Sequence, residues 1–229
     1  MNNILMAIPA RGGSKRLQRK NLYNIGGKPL IAYTIEAALK SKLSEDVFVC
    51  TEDDEIAEVG EKYGAKVFML PDEMVGDLIS STIPCLFLLE NLVSHGKKIE
   101  YLFNLQPTSP LRQSEDIIKS LQIIKDSNAD YLLSVTKIDP HYFHWALKPN
   151  NEEWGMYFGK EYLIERPLLP DVYRPNGAIK LARAEKILKE NSFFGKNLSV
   201  YEMPEEKSIH VASLFDIHCV EGILNSQNQ

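Results

Sequence analysis

A chain of 229 residues with 44% hydrophobic and 25% charged side chains can bury the core of one generous α/β domain and is neither disordered nor fibrous in composition. A formal net charge of -5 argues against nucleic acid as the main partner, because phosphate backbones are held by an excess of Lys and Arg, so any anion site must be local. Three widely spaced cysteines, Cys50, Cys85 and Cys219, form no C-x-x-C pair that would suggest zinc or redox chemistry, and predict a reduced, cytoplasmic setting.

Ile4-Leu5-Met6-Ala7-Ile8 is a continuous apolar run, the pattern of a strand buried on both faces of a parallel sheet. It lacks a preceding basic segment and runs into Pro9 and a basic loop, so it reads as a first strand rather than a signal peptide. From Pro29 onward, apolar residues at helical spacing predict a helix over 30–39, and residues 47–51 a second strand. The alternation continues with a helix over 53–63 closed by Gly64, a strand over 66–70 and a helix over about 80–93. A buried strand follows over 101–105, then a helix opened by Ser114 with Glu115 and Asp116 in its first turn, and a strand over 131–135. Between about 138 and 172 the rhythm gives way to aromatic, Pro-rich sequence that includes Tyr142, Phe143, Trp145, Trp154, Tyr157, Phe158 and Tyr162. This segment is the candidate for a small second lobe. Apolar pieces resume at 178–182 and 198–203, and a helix over about 213–224 closes the chain. Strands alternating with helices predict a mostly parallel sheet flanked by helices, in a single domain over 1–229; no stretch approaches membrane-spanning length.

The loop after the first strand concentrates charge. Arg11, Lys15, Arg16, Arg19 and Lys20 place five cations within ten residues beside Gly12 and Gly13. Adjacent glycines let the backbone turn tightly and present N–H groups to a phosphate, while Arg supplies forked donors and Lys a mobile point charge. In an open α/β sheet such a strand-to-helix loop lies at the carboxyl edge, where ligands bind. The loop matches neither G-x-x-x-x-G-K-S/T nor G-x-G-x-x-G, so the P-loop and dinucleotide readings are weak, and a plain solvated loop is the competing reading.

Three blocks in order, Ile8-Pro9-Ala10-Arg11-Gly12-Gly13-Ser14-Lys15-Arg16 with Lys20-Asn21, Leu105-Gln106-Pro107-Thr108-Ser109-Pro110-Leu111-Arg112, and Tyr173-Arg174-Pro175-Asn176-Gly177-Ala178-Ile179, resemble the acylneuraminate cytidylyltransferases over nearly the whole chain. The resemblance implies a Rossmann-like nucleotidyltransferase fold with a small dimerisation lobe over about 138–172 that overhangs the partner's sugar site. It also implies a homodimer and a Mg2+-dependent reaction of CTP with an acidic nine-carbon sugar of the sialic or legionaminic type, giving CMP-sugar and pyrophosphate. By motif position, Ala10, Arg11, Gly12, Gly13, Ser14, Lys20, Asn21 and Ser81 would contact the nucleotide, and Arg11, Lys20 and Gln106 would act in catalysis. Gln106, Thr108, Ser109, Arg166, Arg174 and Asn176 would bind the sugar, with Phe193 and Phe194 beside its acyl chain. Plain readings stand beside these: Asn176-Gly177 is a common turn dipeptide and Phe193-Phe194 could be core.

The chain departs from the pattern at the C-terminal block. The family usually reads S-I-D-I-D-T there, with aspartates associated with the magnesium ion, where this chain has Ser208-Ile209-His210-Val211-Ala212-Ser213. A hard cation favours carboxylate oxygen, so the metal ligands are unknown, with Asp216 or Asp77 as indirect helpers and His210 as a base toward the sugar hydroxyl or a structural histidine. Leu70 stands where an Arg is frequent and Lys180 where a Tyr is common, and Asp53 or Asp54 could bind metal or simply begin a helix. Two alternatives remain: a transferase for another acidic sugar such as Kdo, and an impaired homologue that binds nucleotide or sugar.

Overall fold

The computed structural model describes residues 3–74, 76, 79–151 and 153–226. Strand β1 (Ile4–Pro9) is buried because its side chains alternate between two apolar layers. Ile4, Met6 and Ile8 pack with Ile31 and Ile35, whereas Leu5 and Ala7 pack with Cys85, Leu86 and Leu89. That two-sided burial explains a run with no polar alternation. A two-stranded ribbon, β2 (Asn24–Ile25) and β3 (Lys28–Pro29), precedes helix α1 (Leu30–Lys40). Pro29 sits in extended backbone as the N-cap, one residue before the helix it was expected to open.

Next come β4 (Val47–Thr51), α2 (Asp54–Lys62), β5 (Lys66–Met69), α3 (Thr82–Ser94), β6 (Tyr101–Asn104) and α4 (Ser114–Asp126). Asp53 caps α2 by accepting the Ile56 N–H at 3.0 Å, which satisfies an end group that has no partner within the helix. The cap of α4 is Gln113 rather than Ser114: its side chain and that of Asp116 satisfy each other's backbone N–H groups reciprocally. Strand β7 (Tyr131–Ile138) leads into the second lobe, formed by α5 (Pro140–His144) and a hairpin of β8 (Leu147–Asn150) with β9 (Glu153–Met156). The chain then returns through β10 (Val172–Arg183), α6 (Ala184–Glu190), β11 (Leu198–Glu202) and α7 (Leu214–Ser226).

Seven strands make one sheet in the order β11-β7-β10-β6-β1-β4-β5. Only β10 runs antiparallel to its neighbours β6 and β7; the other pairings are parallel. From β1 the chain moves outward through β4 and β5, then crosses to the opposite side of β1 with β6. The loops leaving β1 and β6 therefore diverge at their carboxyl ends, and a crevice opens between them.

The sequence patterning shortened β10 to 178–182 because Arg174-Pro175-Asn176-Gly177 carries turn chemistry. In the fold that chemistry makes an irregularity inside a 12-residue strand, where the register to β7 shifts between Pro175 and Lys180 and Gly177 adopts φ +77°. Asn176, 2% exposed, holds the bulge: it accepts from the Ser134 hydroxyl (2.5 Å) and the Ala178 N–H (3.1 Å) and donates to the Ser208 hydroxyl (2.9 Å). Asn176→Ala strands these groups away from water and is expected to cost about 2–4 kcal/mol, read by urea unfolding. No helix among the described residues is long and apolar enough to cross a membrane.

Candidate functional site

The basic loop leaves β1 beside β4. Ala10 continues the pairing by donating its N–H to the Cys50 carbonyl at 2.9 Å, and Asn21 Nδ2 donates to the Arg11 carbonyl at 2.9 Å, which closes the loop on itself. Not all of the charge is available to a ligand. Arg19, in left-handed backbone, turns outward to pair with Asp53 and Glu55, and the Gly12 N–H donates to Glu52 at 2.8 Å. The acidic stretch 51–55 is thus the cradle of the loop and the cap of α2. Asp53 is engaged by the helix cap and by Arg19.

Lys20 is half-buried, and its pKa falls below the ordinary lysine value because burial strips water from the ammonium and Arg16 and Arg11 repel it, with Asp216 opposing. A lysine so crowded by positive charge is primed to gain an anion.

The side chains that line the opposite wall after β6 are uncharged. After β6, Gln106 and Thr108 line the crevice, and Gln106 Nε2 donates to the Ser81 hydroxyl at 3.1 Å. Beneath them Arg112, 2% exposed, donates from Nη1 to the carbonyls of Ala178 (2.6 Å) and Gln106 (3.3 Å), tying the β6 loop to the β10 bulge. Complete burial lowers its pKa to about 9, with Asp116 opposing, so it remains charged at neutral pH. In the sequence Arg112 closes the second block without a role of its own; that it is buried and bonds two carbonyls emerges only when β6 and β10 are paired.

His210 reaches this wall from the C-terminal segment, its Nδ1 3.2 Å from Thr108 Oγ1. Its pKa lies below the ordinary histidine value, first through burial and then through Lys20, Arg16 and Arg174, while Asp216 opposes. The Asp216 carboxylate is turned to structure: one oxygen accepts from the N–H groups of Ala212 (2.9 Å) and Ser213 (2.7 Å) and from the Ser213 hydroxyl (2.8 Å) at the start of α7. Ala212 has no donor atom, no group of three His, Cys, Asp or Glu among the described residues could hold a metal, and Asp77 lies outside those residues. These donors do not fit a Mg2+ ion held by the protein at the 210/212 positions.

A cavity of about 210 Å³ brings together Ala10, Arg11, Gly13, Ser14, Lys20 and Asn21 from the β1 loop with Ser81, Gln106, Thr108 and His210. Cys50, Leu70, Met74, Ile79 and Pro84 add an apolar wall that charge-based reading overlooked, since nothing in their spacing marks a site. Gly12 backs the loop from outside the cavity and Ser109 is 1% exposed behind the wall. Arg174 stands exposed nearby, with Nη2 3.4 Å from the Ser208 carbonyl. Arg166 lies apart on the second lobe, bound to Asp139 at 2.5 Å over a separate groove. Phe193 is 1% exposed within the core beside Leu5, Tyr131 and Leu133, so within one chain it is packing rather than a sugar contact, while Phe194 is exposed.

A mostly parallel sheet with a basic loop on one side of its switch point and an amide and hydroxyl wall on the other has the arrangement of a Rossmann-like nucleotidyltransferase. A solved CMP:2-keto-3-deoxy-manno-octonic acid synthetase complexed with CTP has the same fold, with a TM-score of 0.71 at 20% identity over 98% of this chain and 99% of that one. A family profile described as Cytidylyltransferase matches residues 5–209. The chain belongs to the cytidylyltransferase family, whose members are nucleotidyltransferase enzymes. It is 35% identical over 207 residues to the CMP-N,N'-diacetyllegionaminic acid synthase of Legionella pneumophila, covering 84% of this chain and 83% of that protein. It is 32% identical over 228 residues to the N-acylneuraminate cytidylyltransferase of Escherichia coli O18:K1:H7, covering 99% of this chain; the chain spans about half, 53%, of that relative's length.

Proposed function

We propose that the chain transfers the cytidylyl group of CTP to the anomeric hydroxyl of an acidic nine-carbon sugar, releasing pyrophosphate. The observation that carries this reading is the crevice itself, cationic on the β1-loop side and neutral on the Gln106 side. Attack on the inner phosphate builds charge on its oxygens and on the departing pyrophosphate, and Arg11 and Lys20 stand where that charge develops if the triphosphate lies along the loop. Ala10, Gly13, Ser14, Asn21 and Ser81 frame the nucleotide, and Gln106 and Thr108 supply neutral hydrogen-bonding groups toward the sugar. A guanidinium fork suits the sugar carboxylate, and of Arg166 and Arg174 it is Arg174 that stands beside Ser208 and His210, while Arg166 lines a separate groove. Any Mg2+ would arrive on the triphosphate, since the protein offers no fitting donor set at 210 and 212.

The second lobe supports a homodimer. Tyr142, Trp145, Trp154 and Leu168 are 82, 56, 70 and 75% exposed, an apolar display of the kind that anchors interfaces. In a dimer, Arg166 would overhang the partner's crevice. Light scattering is expected to give twice the 26.0 kDa of one chain, and a monomer would remove the overhang.

Pyrophosphate release from CTP, measured with sialic, legionaminic, pseudaminic and Kdo acids with and without Mg2+, tests the reaction. Turnover with a nine-carbon acid is the expected result. Silence with every sugar despite measurable CTP binding would leave a nucleotide-binding protein and sink the transferase reading.

A further inference from the structure

Lys180 and His210, two positions where this chain departs from its family's usual residues, lie at opposite ends of one hydrogen-bonded chain along the crevice wall. Lys180 Nζ is 3.4 Å from Ser81 Oγ, Gln106 Nε2 is 3.1 Å from the same oxygen, Thr108 Oγ1 is 3.5 Å from Gln106 Oε1, and His210 Nδ1 is 3.2 Å from Thr108 Oγ1. Contacts of this length are usual in a ligand-free site and tighten when substrate arrives. Gly177 lets the backbone pass this close: a Cβ there would stand 3.2 Å from Gln106 Oε1 and 3.4 Å from His210 Nδ1, in a left-handed conformation that a side chain rarely tolerates.

The chain has a direction, assigned from the donors that have no choice. An ammonium only donates, so Lys180 occupies one lone pair of the Ser81 hydroxyl. Asn104 Nδ2 also faces Ser81, and its shorter contact, 3.1 Å, is to the Ser81 carbonyl. The second lone pair of the hydroxyl then takes the Gln106 amide nitrogen, which turns Gln106 Oε1 toward Thr108. Thr108 has one proton to give, to that oxygen at 3.5 Å or to His210 Nδ1 at 3.2 Å; given to the oxygen, it leaves Thr108 accepting from His210. In that arrangement the proton of the neutral imidazole is on Nδ1, and Nε2, for which no protein partner appears among the described residues, carries the lone pair at the cavity edge.

We propose that His210 is the general base of the transfer, held as the Nδ1–H tautomer by a hydrogen-bonded chain whose polarity Lys180 sets. The inference rests on the transferase reading above. In the step, His210 Nε2 takes the proton of the sugar's anomeric hydroxyl, the hydroxyl oxygen bonds to the inner phosphorus of CTP, and the bond from that phosphorus to the bridging oxygen breaks, with its electron pair leaving on pyrophosphate. The surroundings favour a neutral imidazole: Lys20 and Arg16 from the β1 loop and Arg174 from β10 face it against a single carboxylate, Asp216 at α7. Lys180 is half-buried, faces Cys85 on α3, has no carboxylate partner among the described residues, and directs one of its N–H groups to Ser81.

The tautomer is read directly by 15N NMR of the imidazole-labelled full chain, with the His210 signals assigned by their loss in His210→Gln. A protonated Nδ1 in the parent, shifting toward protonated Nε2 in Lys180→Met and restored in Lys180→Arg, is expected. Protonated Nε2 in the parent overturns the proposal. In turnover, His210→Gln should lower kcat by about 10²-fold or more and abolish the acidic limb of the pH profile, with its CTP Kd within about 3-fold of the parent's. Lys180→Met should lower kcat several-fold and move that limb with an unchanged CTP Kd. Retention of the parent's acidic limb in His210→Gln overturns the base assignment. A parent that turns over no sugar removes the base together with the transferase reading, and the NMR result then decides the hydrogen-bonded chain alone.

Discussion

Lys20→Met is expected to lower kcat/KM for CTP by about 10²–10³-fold in the pyrophosphate-release assay, with no loss of thermal stability. The two halves of that result have one cause. Lys20 is half-buried among Arg16 and Arg11, so its charge is disfavoured in the free protein and compensated only when an anion fills the crevice. Replacing it by an apolar side chain of similar length removes a repelled charge from the folded state and the anion's partner from the complex. The pH dependence has a definite sign. A folded pKa below the ordinary 10.5 means that the unfolded chain binds the proton more tightly. The destabilisation is therefore full below the folded pKa and is relieved as pH rises through it toward 10.5. The parent should thus gain stability across that alkaline window relative to Lys20→Met, and its kcat/KM should decline at a lower pH than an exposed lysine would dictate. A variant that melts markedly below the parent, or that keeps its CTP turnover, would remove Lys20 from the phosphate site.

Gly12→Ala is expected to reduce CTP affinity by at least about 10-fold and to cost about 1–2 kcal/mol of stability, measured by calorimetric titration and urea unfolding. A methyl group at Gly12 would overlap the Asp53 carboxylate and come within 3.0 Å of its Cβ. Asp53 can escape only by releasing the Ile56 N–H at the start of α2 and the Arg19 guanidinium. The freed Arg19 and the displaced loop would then disturb the groups framing the triphosphate. Gly13→Ala is the control for stability alone, because a Cβ there meets no protein atom within 4 Å while Gly13 itself lines the nucleotide crevice. An equal loss of stability in the two variants would show that loop flexibility, not the Asp53 cradle, is what the substitution at Gly12 disturbs.

These two glycines separate what is local from what is not. That both belong to a phosphate loop is legible from their place between a buried strand and a run of cations. Which of them touches the acidic stretch 51–55 is not, because the contact joins residues 40 apart and depends on how β1 and β4 pair. The same holds for Asn176-Gly177, whose turn chemistry is evident while its use as a bulge inside β10 is not. Phe193 shows the limit of transferring a motif: the aromatic pair is present, but β7 and α6 place Phe193 in the core and leave Phe194 outside.

By itself the sequence determined the alternation of strands and helices, the loop that faces the carboxyl edge and the residue types an anionic nucleotide needs. Those features follow from hydrophobic periodicity, capping and charge density within short windows. Only the tertiary structure decided which cations line the crevice, that Arg19 and Asp53 neutralise each other, that one oxygen of Asp216 holds the start of α7, and that Lys180 and His210 share one hydrogen-bonded chain. The reason is that burial and pairing partners are set by strand order, and the order β10-β6-β1-β4 brings together groups from every quarter of the chain.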